Sequence, residues 1–134
     1  MNIKEKGTKW ERDAVKILNY NIKNGNFKRV PSSGAIGTIL NENILTGDIR
    51  GSVPSIPRNF KIECKTGYGG FKQMVIKKEW LDKITEESLR DLTIPILLGK
   101  FSGAKEGVKY FAVIDLETLV YLINYITSLH ESME

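Results

Sequence analysis

Three carboxylates and one lysine stand at positions from which they could act together. In "NFKIECKTG", residues 59–67, Phe60, Ile62 and Cys64 alternate with Lys61, Glu63 and Lys65. A strand repeats every two residues, so the apolar set falls on one face and the charged set on the other. Upstream, Asp48 follows a glycine in "LTGDIRG", at the start of a short strand-like run. Earlier still, Glu11 has Ala14, Val15, Leu18 and Ile22 at i+3, i+4, i+7 and i+11. On a helix these share one face, so Glu11 points toward the core side, where a carboxylate must be paired, protonated or bound. Each residue also has an ordinary reading: a solvated strand face for Glu63 and Lys65, an Asx turn for Asp48, a framework ion pair for Glu11. Taken in order along the chain, they offer a second one. Carboxylates with a backbone carbonyl form the oxygen donor set that hard Mg2+ prefers while it keeps several waters, and a lysine beside them orients or deprotonates an attacking water.

The elements that must position these groups follow from periodicity. Residues 7–24 place Trp10, Ala14, Ile17, Leu18 and Ile22 at helical spacing, with Thr8 as N-cap and Gly25 just past the end. Residues 27–31, "FKRVP", read as a strand stopped by proline, and "SSGAIGTILNENILTG" is a long connection. Ile49–Val53 and Asn59–Thr66 read as strands, and "TGYGG" as a turn. A helix follows in "KKEWLDKITEESLRDL", then the strands "TIPILLGKF" and "VKYFAVID", then the helix "DLETLVYLINYITSLHES" with Asp115 as its cap. The order α, three strands, α, two strands, α predicts a mixed sheet with helices packed on its faces. The last helix is more apolar than one covered face requires, which suits either burial in its own core or pairing with a second copy.

Composition bounds the setting. The 134 residues fit one domain over 1–134. Cys64, the sole cysteine, has no second thiol for a disulfide or a zinc site, and His130, the sole histidine, sits near the end of the sequence. A histidine-based metal site or a Ser-His triad therefore has almost nothing to stand on. No apolar run reaches membrane-spanning length and the first residues contain no apolar signal-like run, so the expectation is a soluble, cytoplasmic protein with no membrane partner. Charge is uneven: residues 1–78 carry 15 Lys+Arg against 6 Asp+Glu, and residues 79–134 carry 5 against 10. The basic first part is expected to meet a polyanion.

The ordered set Gly7, Glu11-Arg12, Arg29, Ser32-Ser33-Gly34, Asp48 and Glu63-x-Lys65 resembles the PD-(D/E)xK nuclease superfamily. Within it the likeness is strongest to archaeal-type Holliday junction resolvases, small basic homodimeric enzymes that cut four-way DNA junctions with Mg2+. The resemblance covers roughly the first half of the chain. Gly47 stands where the Pro-Asp signature has proline, and the connection from Gly34 to Asp48 is longer than in the archaeal pattern. The resemblance implies an α/β, restriction-endonuclease-like fold, a mixed five-stranded sheet flanked by helices. It implies Asp48, Glu63 and the Cys64 backbone carbonyl as metal ligands, with Glu11 as a further one, and Glu11, Asp48, Glu63 and Lys65 as the catalytic set. Arg12, Arg29, Ser32 and Ser33 would contact DNA, Mg2+ would be the cofactor with Mn2+ able to substitute, and the partners would be branched DNA and a second copy of the chain. A restriction-like or repair nuclease of the same fold, or a non-catalytic nucleic-acid-binding module, are the alternative readings.

Overall fold

The computed structural model describes residues 3–30 and 48–133. They form α1 (Ile3–Asn21), β1 (Asn26–Arg29), β2 (Ile49–Ser52), β3 (Phe60–Thr66), α2 (Lys78–Asp91), β4 (Ile94–Lys100), β5 (Tyr110–Val113) and α3 (Leu116–Ser132). The five strands make one mixed sheet in the order β1-β2-β3-β4-β5. Only β3 and β4 run parallel, because α2 carries the chain back across the sheet between them; the other neighbours are antiparallel. The expected fold class, an α/β mixed sheet flanked by helices, is the one observed.

α1 covers one face of the sheet. Trp10 and Ala14 are buried against Phe27, Ile49 and Ile62, with Ile17, Leu18, Ile22, Phe60 and Cys64 packed around them. That is the i, i+4, i+7 pattern of an amphipathic helix meeting alternate positions of three strands. Gly51 on β2 leaves room for the Phe27 ring, since a Cβ there would come within 2.0 Å of it. At the outer edge of β1, the Asn19 side chain accepts from the Phe27 amide at 2.8 Å and donates to its carbonyl at 2.9 Å, standing in for a missing strand. The first helix starts at Ile3, earlier than the expected Gly7, so Thr8 lies inside it and does not cap it. Gly7 sits where nothing approaches within 4 Å of a would-be Cβ, and the helix passes through it. The far end matches expectation more closely: Asn24 turns left-handed at φ 60°, just before Gly25.

α2 covers the opposite face, and this decides the character of β3. Its Lys61, Glu63 and Lys65 do not meet solvent freely, because β3 is the central strand and α2 lies across its charged side. Lys61 is 0% exposed and donates to Asp91 of α2 at 2.7 Å. Arg50, opposite Lys61 on β2, reaches the same carboxylate oxygen at 2.9 Å, and the Thr93 hydroxyl donates to the other oxygen at 2.7 Å. Burial opposes ionisation of Asp91, yet these three donors hold its carboxyl below the usual range. Arg58 fastens the end of α2 by donating to the Leu92 and Thr93 carbonyls at 3.0 and 2.7 Å.

α3 begins at Asp115, whose carboxylate accepts from the Thr118 amide as an N-cap. It lies beside α2, with Tyr121 under the Arg58 guanidinium and the Tyr125 hydroxyl donating to Ser55 O. Its apolar residues are not sunk in the core of the same chain: Leu116, Leu119, Val120, Ile123, Ile126 and Leu129 are all exposed.

Candidate active site

The antiparallel register places Ile49 opposite Ile62, so Asp48, one residue earlier, stands opposite Glu63 on the same face. Asp48 is tied in at both backbone groups: its amide donates to Ile62 O and its carbonyl accepts from Val30 N–H, each at 2.9 Å. Its side chain turns along β3 and accepts from the Cys64 amide at 2.7 Å. The expected convergence of Asp48 with Glu63 and Lys65 is thus built from one strand start and two alternate positions of its neighbour.

Burial is the main influence on these carboxylates. Leu97 of β4, fully buried, stands beside Glu63 on the same face. Burial first, and then the nearby Asp48 charge, push the Glu63 carboxyl up from 4.5 to about 7, against the pull of Lys83 and Lys65. Burial likewise raises Asp48, opposed by the Cys64 amide, Lys65, Lys83 and Arg29. Glu11 is raised by burial and by the Asp48 charge, while Arg29 pulls it down. The Cys64 thiol registers all three: burial and the charges of Asp48, Glu11 and Glu63 push it far above its ordinary value. It is an inert core thiol with a concentrated negative field around it.

Glu11 and Arg29, expected in separate roles, are brought together. The Arg29 guanidinium donates to Glu11 at 3.3 Å, the framework ion pair that the helix pattern left open. Arg12 is exposed on α1. Lys65 lies 3.7 Å from Glu63 and 4.6 Å above the ring of Trp80 on α2, so an aromatic face positions its ammonium group. Ser32 and Ser33, expected to touch DNA, lie outside the described residues, as does Gly34.

Two residues of α2 enter the site without having been expected there. Lys83 and Glu87 act electrostatically on Glu63, and one carboxylate oxygen of Glu87 is buried with no hydrogen-bond partner among the described residues. The helix repeat contains the signal: Trp80, Lys83, Ile84, Glu87, Ser88 and Asp91 share one face, and it is polar at most positions.

Among the described residues no three acidic, histidine or cysteine side chains close on one point to hold an ion unaided. The donor chemistry nevertheless fits a hard divalent cation. Two half-buried carboxylates stand opposite each other, burial raising the proton affinity of both and the Asp48 charge raising that of Glu63 further, and a buried carboxylate oxygen of Glu87 has no hydrogen-bond partner among the described residues. Mg2+ asks for one or two carboxylates and fills its remaining positions with water.

A mixed sheet sandwiched between helices, with Asp48 at a strand start and Glu63-x-Lys65 on the central strand, is the architecture of a PD-(D/E)xK nuclease. The model of the family described as "Phage putative PDDEXK endonuclease" matches residues 2–126, and the chain belongs to that family. No curated protein matches the chain. Among the described residues no helix is long and apolar enough to cross a membrane.

Proposed function

We propose that this endonuclease is Mg2+-dependent and structure-selective, hydrolysing phosphodiesters at branched DNA, with four-way junctions as the preferred substrate. The observation that carries the reading is the cross-strand pair Asp48–Glu63 with Lys65 on the same half-buried face. Asp48, Glu63 and the Cys64 carbonyl would hold the cation, with Mn2+ able to replace it. When bound, the cation neutralises phosphate charge and lowers the pKa of water. Lys65, held by Trp80, orients the attacking water toward phosphorus and stabilises the charge that develops there. Burial disfavours the charged forms of Asp48 and Glu63, and a compensating positive charge between them would keep both ionised. Glu11 keeps Arg29 at the edge of the site, where the guanidinium, with the exposed Arg12, meets phosphate oxygens.

The junction preference rests on the ordered likeness Glu11-Arg12, Arg29, Asp48 and Glu63-x-Lys65 to the archaeal-type resolvases. The basic first part of the chain supports DNA as the polyanion. Synthetic four-way junctions and linear duplexes of equal length, each with and without Mg2+, test the reading. Paired cuts at the branch that require Mg2+ are expected. Equal cutting of linear duplex would make the protein a restriction-like or repair nuclease, and binding that Mg2+ never converts to cutting would make it a non-catalytic module.

A further inference from the structure

β3 leads out of the candidate site into a loop whose surface the reaction itself does not require. Residues 67–78 hold Lys72, Lys77 and Lys78 and no acidic residue. Two aromatic rings stay in solvent there, Tyr68 at 38% and Phe71 at 59% exposure. The loop is built and closed. The Val75 amide donates to Tyr68 O at 2.6 Å, and Gly67, Gly69 and Gly70 take φ values of 84°, 126° and 83°. A Cβ at Gly69 would meet Gln73 O at 2.8 Å, so this closure needs glycine.

The loop is also joined to the site. Tyr68 packs edge-on against Trp80 with ring centres 4.6 Å apart, and Trp80 is the ring beneath Lys65. Lys77 lies 5.6 and 5.7 Å from the Tyr68 and Trp80 rings, and Lys72 lies 5.7 Å from Phe71. Aromatic faces interleaved with lysines fit a strand that offers phosphates and flat rings together. Inside a continuous duplex every base face is covered by its stacked neighbour, so such a surface is used only where stacking is interrupted.

We propose that Tyr68 and Phe71 form a stacking platform for a nucleotide with an open base face next to the scissile phosphate, while Lys72 and Lys77 hold its flanking phosphates. The proposal rests on the nuclease reading of the site and narrows its substrate to DNA with a flap, a strand end or a branch point. The test is binding without divalent cation to a flap-bearing duplex, with a relaxed, covalently closed circular duplex as the comparison. Phe71→Ala and Tyr68→Ala are each expected to weaken flap binding roughly tenfold. Affinity for the closed circle should stay within about twofold, because its phosphate contacts remain. Phe71→Trp should keep flap affinity, and flap DNA should quench its added indole fluorescence. Equal losses on both DNAs, no loss on the flap, or an indole left unquenched in the Phe71→Trp variant would overturn the platform. Wild-type cutting of the flap with Mg2+ is scored separately: cutting with unaltered Phe71→Ala binding sinks the platform alone, and platform-dependent binding without cutting sinks the catalytic reading alone.

Discussion

Glu63 sits where its negative charge is costly, and that cost is measurable. In the metal-free protein the folded state keeps the Glu63 proton up to about pH 7, whereas the unfolded chain releases it near its ordinary 4.5. Between those values the folded state binds more protons, so stability falls as pH rises through the window and levels off above it. The shift corresponds to on the order of 3 kcal/mol. Glu63→Gln, which mimics the protonated form, should therefore melt above wild type at pH 8 and match it at pH 4.5. Added Mg2+ should raise the wild-type melting temperature at pH 8 and leave the variant where it is; thermal melts that show the same pH slope in both proteins would remove Glu63 from this role. Cleavage gives the complementary reading. Asp48→Asn and Glu63→Gln should each abolish Mg2+-dependent cutting while DNA affinity is largely kept, since the basic surface lies mostly elsewhere. Lys65→Ala should slow cutting by roughly 10²-fold or more, the scale of a positioned proton-transfer group. Its fold should survive, because the side chain packs on Trp80 and takes no place in the apolar core. Near-normal rates in any of the three would exclude that residue from the site.

β3 shows how far an element can be read from its sequence. The alternation of Phe60, Ile62 and Cys64 with Lys61, Glu63 and Lys65 gives both the strand and its two faces, because side-chain direction in a strand is a local property. Whether the charged face meets water is not local. It depends on β3 lying between β2 and β4 and on α2 crossing over it, and so Lys61 ends fully buried on a face whose ordinary reading is solvated. The helix repeat puts Lys83 and Glu87 on one face of α2, but their relation to Glu63 is not local either and exists only once α2 is docked. Helix ends are less legible at α1, where Gly7 reads as a boundary and the helix nevertheless runs through it. Because Asp91 pairs with the fully buried Lys61, the two substitutions should behave unequally. Asp91→Ala leaves the lysine and Arg50 without their shared carboxylate and should cost about 3–5 kcal/mol. Lys61→Met keeps the volume, leaves Asp91 with Arg50 and Thr93, and should cost about 1 kcal/mol or less. Denaturant unfolding of both variants checks the order, and equal losses would show that the network matters as a unit.

Over the whole molecule, charge and apolar surface are separated in a way that argues for assembly. Lysines dominate the segment leading from β3 into the exposed loop, while α3, in the acidic second part of the chain, presents Leu116, Leu119, Val120, Ile123, Ile126 and Leu129 to solvent. A groove of about 200 Å3 lies between α2 and α3, lined by Ser88, Thr93, Thr118 and Tyr121. An acidic segment is a poor place to receive DNA, so phosphates are not the occupant of this face. We propose a second copy as the occupant: the surface is apolar, and self-complementary pairing of like helices is the simplest way to cover it. The substrate proposed here points the same way, because a four-way junction offers two equivalent strands and one chain supplies one candidate site. Light scattering at micromolar concentration should give twice the 15.2 kDa chain mass. Ile123→Glu combined with Ile126→Lys, both on exposed positions, should yield a folded monomer by circular dichroism that still binds DNA but nicks junctions one strand at a time. A wild-type monomer that cuts both strands together would sink the dimer, and a double variant that remains dimeric would move the interface away from α3, toward the edge strand β5.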